Sequence, residues 1–163
     1  MGNNLVFDLV QLMNQKKMTI ATAESCTGGL LAKYITDQSG ASRVFECGIV
    51  SYSGRIKNQM LGVSKETLEA FGEVSKQTAV EMASGVRKVA KSDIGVGITG
   101  IAGPTGGSKE KPVGLVYFAV DFLGECQGYR LELFDAASRS EVRERTTQAV
   151  FECIYNKLKD ATE

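Results

Sequence analysis

Apolar residues in this chain fall into two kinds of segment that follow one another along the sequence. In one kind they recur every three or four residues, as in an amphipathic helix, at residues 5–13, 30–35, 56–61, 65–71, 79–90 and 142–158. In the other kind they form short runs typical of buried strands, at residues 19–22, 44–51, 94–98, 115–120 and 127–134. Because helices separate most of the strands, we predict a three-layer α/β/α sandwich around a five-stranded mixed, mostly parallel sheet. A short turn at Leu123-Gly124 predicts one antiparallel pair, between the last two strands.

The loop between the first strand and the second helix concentrates reactive groups. Its sequence, Ala-Glu-Ser-Cys-Thr-Gly-Gly at residues 23–29, offers two hydroxyls, a thiol and two glycines at the start of a helix. Ligands of open α/β sheets bind beyond the carboxyl ends of the strands. Backbone N–H groups at a helix N-terminus stabilise a phosphate or a developing oxyanion. The alternative is that Ser25 or Thr27 only caps the helix.

A second glycine-rich loop, residues 99–107, leaves the third strand. The segment Gly95–Gly100 matches the Gly-x-Gly-x-x-Gly pattern of dinucleotide-binding sites. Its first glycines fall inside the strand, however, and no helical pattern follows, so the strand–turn–helix context of that site is missing. We therefore predict no dinucleotide site. The loop glycines either supply turns or line a substrate site, and the sequence leaves both open.

The chain contains no histidine, which restricts the ways in which a nucleophile could be activated. Ser-His-Asp and Cys-His catalysis are excluded, so a base for Ser25 must be Lys, Asp, Glu or Tyr. Lys57 follows the second strand closely enough to reach the same end of the sheet. As a base it needs a pKa lowered from ~10.4 to about 7–8, by burial or by the neighbouring Arg55. The alternative is an ordinary solvated helix lysine.

Composition narrows the class of protein further. Lys and Arg together number 19, as do Asp and Glu, and a net charge of zero argues against a nucleic-acid binder. No apolar stretch approaches the ~20 residues of a membrane-spanning helix. The four cysteines form no Cys-x-x-Cys pair, and without histidine they predict reduced thiols rather than a zinc site. We expect residues 1–163 to form one cytoplasmic domain with no metal and no membrane partner.

Several motifs resemble, in order, the CinA C-terminal domain family. They are the loop at 23–29, Tyr52-Ser53 followed by Lys57, Leu61-Gly62-Val63, the segment 99–104 with Gly106-Gly107, and Lys111-Pro112-Val113-Gly114. The match runs from about residue 21 to residue 120, and the chain has the length of the family's stand-alone members. These include nicotinamide mononucleotide deamidases. The resemblance implies an α/β/α sandwich with a five-stranded mixed sheet.

The resemblance also implies a reaction and a pair of catalytic residues. The reaction is hydrolysis of the carboxamide of nicotinamide mononucleotide to nicotinic acid mononucleotide and ammonia, in pyridine-nucleotide salvage, with no cofactor. Ser25 falls on the family's nucleophile and Lys57 on its base. Tyr52 is expected to orient the lysine or to contact the substrate ring.

The substrate-binding residues are expected in the two loops and at the start of the last helix. We expect Thr27, Gly28 and Gly29 to lie around the reacting amide, and Thr99 and Gly100 to line the site. Arg139 or Arg143 is expected to meet the ribose phosphate. Many relatives carry Gly-Asp-Arg before this helix, whereas this chain has Ala-Ala-Ser-Arg at residues 136–139. We also expect a homo-oligomer that binds no nucleic acid.

Two alternatives to this mechanism stay open. The chain could be a non-catalytic nucleotide-binding module with a regulatory or competence-associated role. Within the enzyme hypothesis, Cys26 could replace Ser25 as nucleophile, although a neighbouring side chain at a helix start often points away from the site. Glu24 is the next candidate for the base.

Overall fold

The computed structural model describes residues 3–161, which form six α-helices and five β-strands. The helices are α1 (Asn3–Lys16), α2 (Leu30–Thr36), α3 (Gly54–Leu61), α4 (Lys65–Phe71), α5 (Lys76–Ala90) and α6 (Arg139–Asp160). The strands are β1 (Ile20–Glu24), β2 (Phe45–Val50), β3 (Ile94–Gly100), β4 (Leu115–Phe122) and β5 (Glu125–Glu132). Each of these elements overlaps a segment where the apolar pattern predicts an element of the same type.

The five strands form one sheet in the order β2-β1-β3-β4-β5. β1 pairs in parallel with both β2 and β3, whereas β3 with β4 and β4 with β5 pair antiparallel. The mixed sheet and the antiparallel last pair agree with the prediction, and four of the five strands point in one direction, but β3 and β4 form a second antiparallel pair. The reason lies between β3 and β4, where the chain forms a loop without a helix and returns beside the strand it has just left.

Helices cover both faces of the sheet, which gives the predicted three layers. On one face, α1, α2 and α6 bury the larger apolar cluster, in which Leu9, Leu31 and Phe151 are fully enclosed. On the other face, α3, α4 and α5 pack over smaller residues such as Ala21, and Met82 fills the space between. Burial of these side chains is the main source of stability.

Two glycines of β3 allow α5 to approach the sheet closely. A Cβ at Gly95 would collide with the carbonyl oxygen of Ala83, and one at Gly97 would collide with that of Ala79. These glycines belong to the segment that matches the dinucleotide pattern. Their place under a helix gives the pattern a packing role and agrees with the prediction that it is no dinucleotide site.

The parallel strands bring three chain segments to one edge of the sheet. Glu24, the last residue of β1, is in register with Val50 of β2 and Ile98 of β3. The residues that follow each strand are therefore neighbours, although the sequence separates them widely. Within residues 3–161, no helix has both the length and the apolar character needed to span a bilayer.

Candidate active site

Ser25 and Lys57 meet at this edge of the sheet. The Nζ atom of Lys57 lies 3.1 Å from the Oγ atom of Ser25, within hydrogen-bonding distance. Ser25 directly follows β1 and is 8% exposed, whereas Lys57 lies in α3 and is 1% exposed. An ordinary surface lysine would be solvated, so burial of this one against a hydroxyl is the feature that sets the site apart.

Local structure fixes the direction in which Lys57 points. Ser53 caps α3 by accepting a hydrogen bond from the N–H of Ile56, and Gly62 ends the helix in a left-handed conformation with φ of 70°. Leu61, one turn after Lys57, is buried in the apolar cluster below the sheet. Because residues four apart share a helix face, the packing of Leu61 also directs Lys57 inward.

The surroundings of Lys57 favour its neutral form. Burial lowers the pKa of Lys57 below its ordinary value of 10.5, while the charges of Glu73 and Cys26 act in the opposite direction. The amine donates one hydrogen bond, 2.7 Å long, to the carbonyl oxygen of Ser51. A neutral amine in this position can keep that bond and accept the proton of the Ser25 hydroxyl. Arg55, the other expected cause of a lowered pKa, is exposed and donates to Gln59 instead.

The thiol of Cys26 is next to this pair but is poorly suited to attack. Cys26 is 5% exposed, and burial is the main cause that raises its pKa to about 12. At neutral pH it is therefore a thiol, whereas the nucleophilic form of cysteine is the thiolate. These properties favour Ser25 over Cys26 as the nucleophile.

Glu24 caps the first turn of α2 with a carboxylate that is 1% exposed. Its Oε2 atom accepts hydrogen bonds from the hydroxyl of Thr27 at 2.6 Å and from the N–H groups of Gly29 and Leu31, both at 3.1 Å. Its Oε1 atom accepts a fourth, from the N–H of Ala32 at 2.9 Å. Four donors occupy the carboxylate, so the geometry does not support Glu24 as a base for Ser25.

This arrangement corrects the roles expected of Thr27, Gly28 and Gly29. The N–H of Gly29 and the hydroxyl of Thr27 are bonded to the carboxylate of Glu24, and the N–H of Gly28 donates to the carbonyl of Ser25 at 3.0 Å. Arg143, an expected phosphate ligand, instead donates through Nε to the carbonyl of Thr27 at 3.0 Å. These residues form the support behind the nucleophile loop.

A cavity of about 380 Å³ opens in front of Ser25, a volume within the ~300–1,000 Å³ typical of small-molecule sites. It is lined by Ser25, Cys26, Tyr52, Glu73, Val74, Thr99, Gly100, Ile101, Ala102, Gly103, Thr105, Gly106 and Arg139. Thr99 and Gly100 therefore lie where the sequence predicts, and the second glycine-rich loop forms one wall. A larger and more open groove lies between α1 and α6, but none of the candidate catalytic residues lines it.

Tyr52 and Arg139 form part of the cavity lining, and Arg139 joins Tyr52 to the glycine-rich loop. The Nη2 atom of Arg139 donates to the hydroxyl of Tyr52 at 2.6 Å, and its Nη1 atom donates to the carbonyl of Gly103 at 2.6 Å. Tyr52 thus orients Arg139 rather than Lys57, which corrects one of the two roles expected of it. Its ring is 60% exposed and available to a ligand in the cavity.

Ser51 and Glu73 belong to the site, although the sequence gives no indication of either role. Ser51 acts through its backbone, because its carbonyl holds Lys57 and its N–H donates to the carbonyl of Glu24. Glu73 follows α4, and the hydroxyl of Thr99 donates to its backbone carbonyl at 2.7 Å. A carboxylate between two helices resembles any solvated loop residue, so only the fold reveals that Glu73 faces the cavity.

The donor atoms around the cavity do not form a metal site. Over residues 3–161, no three side chains of the ligating types His, Cys, Asp and Glu come together closely enough to hold an ion.

Curated relatives match most of this chain. A competence-damage inducible protein of Thermoanaerobacter sp. strain X514 is 56% identical over 150 residues, which cover 92% of this chain and 36% of that protein. A CinA-like protein of Kosmotoga olearia is 48% identical over 150 residues, with the same coverage of both chains. The chain thus spans about a third of the length of these relatives.

Solved structures share the whole fold. The competence/damage inducible protein CihA of Agrobacterium tumefaciens has a TM-score of 0.92 at 39% identity, covering 96% of this chain and 94% of that one. A CinA superfamily protein of Klebsiella pneumoniae has a TM-score of 0.92 at 30% identity, covering 97% and 98%. The model of the CinA C-terminal domain matches residues 3–158, and the chain belongs to that family.

Proposed function

We propose that this chain is an amidohydrolase that deamidates nicotinamide mononucleotide through a serine–lysine pair. The observation that carries the proposal is the contact between the buried amine of Lys57 and the hydroxyl of Ser25. A lysine held out of water is disfavoured in its charged form, and the neutral amine that burial favours can act as a base. The substrate comes from the family resemblance, because the names of the relatives state no reaction.

In the acylation step, Lys57 takes the proton of Ser25 as the Oγ atom attacks the carbonyl carbon of the carboxamide. The tetrahedral intermediate then collapses, the C–N bond breaks, and the Lys57 ammonium gives its proton to the leaving nitrogen, which departs as ammonia. The carbonyl of Ser51 holds the amine throughout. The product of this half-reaction is a nicotinoyl ester on Ser25.

In the deacylation step, a water molecule gives a proton to Lys57 and attacks the ester carbonyl. The ester C–O bond breaks, Ser25 recovers its proton, and nicotinic acid mononucleotide leaves. The two steps together consume one water molecule and need no cofactor.

The oxyanion of both steps needs a donor other than those expected from the sequence. The amides of Gly29 and Leu31 serve Glu24, and the N–H of Ser25 itself donates to the carbonyl of Ile98. In strand–turn–helix nucleophile loops, the N–H of the residue after the nucleophile commonly fills this role. We therefore assign the role of oxyanion donor to the backbone N–H of Cys26. The thiol of Cys26 takes no part in the proposed mechanism.

The test is ammonia release from nicotinamide mononucleotide by the purified protein and two neighbouring variants. We expect turnover by the wild type, none above background by Ser25→Ala, and most of the wild-type rate by Cys26→Ala. Activity in Ser25→Ala with loss in Cys26→Ala would assign the reaction to the thiol. Tight binding of the nucleotide without any ammonia release by the wild type would favour a non-catalytic nucleotide-binding module.

A further inference from the structure

Two opposite charges face the cavity, and neither forms an ion pair with any of residues 3–161. Among those residues, the guanidinium of Arg139 bonds to neutral groups, the carbonyl of Gly103 and the hydroxyl of Tyr52. The carboxylate of Glu73 takes part in no ion pair or side-chain hydrogen bond within the described part of the chain. A cavity with one uncompensated charge of each sign is suited to a ligand that carries both.

The carboxylate of Glu73 lies at the end of the cavity where the chemistry occurs. Its Oε1 atom is 2.7 Å from the position that a Cβ on Gly54 would occupy, so it sits against the start of α3, three residues before Lys57. The hydroxyl of Thr99, which also lines the cavity, donates to the backbone carbonyl of Glu73. The negative charge of Glu73 also raises the pKa of the buried amine of Lys57, against the effect of burial. When an amide binds at Ser25, the ring attached to it therefore lies close enough to interact electrostatically with this carboxylate.

We propose that Glu73 is a specificity residue that selects amides attached to a positively charged ring. This inference rests on the proposed function, since the ring nitrogen of nicotinamide mononucleotide is quaternary and the phosphate lies at the other end of the molecule. The carboxylate of Glu73 pairs with the ring cation beside the reacting amide. The guanidinium of Arg139 remains for the phosphate, to which it can donate two hydrogen bonds.

The test compares two ligands that differ in ring charge. Nicotinamide mononucleotide has a cationic ring, and its reduced dihydropyridine form has a neutral ring with the same amide, ribose and phosphate. Binding to Ser25→Ala, which holds substrate without turnover, is measured by calorimetry at pH 8 for both ligands. The same titrations are made in Ser25→Ala/Glu73→Gln. The control is Ser25→Ala/Glu69→Gln, which removes an exposed carboxylate of α4 that does not line the cavity.

We expect Glu73→Gln to weaken binding of the cationic ligand about three- to tenfold and to leave the neutral ligand unchanged, because glutamine keeps the shape and loses the charge. Glu69→Gln should change neither. An unchanged ratio of the two affinities, or an equal loss for both ligands, would overturn the role of Glu73. If the wild type turns over the nucleotide, such a result refutes only the specificity role of Glu73 and leaves the proposed function intact. If neither form binds, the substrate assignment fails and this inference fails with it.

Discussion

Replacing Glu24 by glutamine tests how the nucleophile loop is held. The side chains are nearly the same size, but glutamine has one acceptor oxygen where glutamate has two. The amide oxygen can take the place of Oε2 and keep its three donors, the hydroxyl of Thr27 and the N–H groups of Gly29 and Leu31. The NH₂ group then faces the N–H of Ala32 at the 2.9 Å separation of the present hydrogen bond. Two donors meet there, and one is left without an acceptor.

The expected loss of stability follows from these contacts. A buried donor without an acceptor costs about 1–3 kcal/mol. The three surviving bonds change from charge-assisted to neutral, and each loses roughly 0.5–1 kcal/mol. The free energy of unfolding should therefore fall by about 2.5–6 kcal/mol, a large part of the ~5–15 kcal/mol that holds a typical domain together.

Urea unfolding at pH 7 measures this loss, and Glu46→Gln is the matched control. Glu46 is an exposed carboxylate on β2, where the same substitution should change stability by less than about 0.5 kcal/mol. The folded fraction of Glu24→Gln should also show a lower kcat, because a 1 Å displacement of a reacting group can cost on the order of 10²-fold. A stability loss no larger than that of Glu46→Gln, together with unchanged kcat, would refute the role of Glu24 in holding Ser25.

Three further predictions concern protonation, backbone strain and metal. Because the pKa of Lys57 is lower in the folded state than its ordinary 10.5, the unfolded chain binds more protons, and the folded state gains stability as pH rises towards that value. The free energy of unfolding of the wild type should therefore rise relative to that of Lys57→Met between pH 7 and pH 10 in urea titrations. A difference that does not change with pH would contradict burial of the amine. Gly28→Ala should lower the melting temperature, since Gly28 has φ of 62° and the new Cβ would lie 2.8 Å from Nη2 of Arg143. An unchanged melting temperature would contradict this prediction and show that the loop accommodates the new Cβ without strain. Ammonia release should survive dialysis against EDTA, because the described residues offer no cluster of side chains that could hold a metal ion. Loss of activity that a divalent ion restores would refute a serine–lysine mechanism.

The layers of the fold can be predicted because they depend on local patterns. The stripe of α5, with Ala79, Met82 and Val86 fully buried, is visible as apolar residues at helical spacing. The sequence also indicates that Ser25 and Lys57 can reach one edge of the sheet, since both follow strands that pair in parallel, but their direct contact is expected only from the family resemblance.

The direction of β4 and the support of the nucleophile loop depend on contacts that the local pattern does not contain. The loop at residues 101–114 has no apolar periodicity, and the pattern does not say whether the chain crosses the sheet or turns back. The role of Glu24 requires knowing that its side chain turns towards the first turn of α2, up to eight residues ahead. Tyr52 and Arg139 lie 87 positions apart in the sequence, so their hydrogen bond follows from the fold alone.

The most direct test of the central claim, that neutral Lys57 takes the proton of Ser25, is the pH dependence of kcat/KM for ammonia release by the wild type and by Lys57→Arg. For the wild type, we predict an acid limb with a pKa well below 10.5 and a plateau near neutral or mildly alkaline pH, because burial disfavours the charged amine. Lys57→Arg should lose about 10²–10⁴-fold or more at every pH, since a guanidinium stays protonated. An arginine variant with near-normal activity would contradict the claim and would reduce Lys57 to a fixed positive charge.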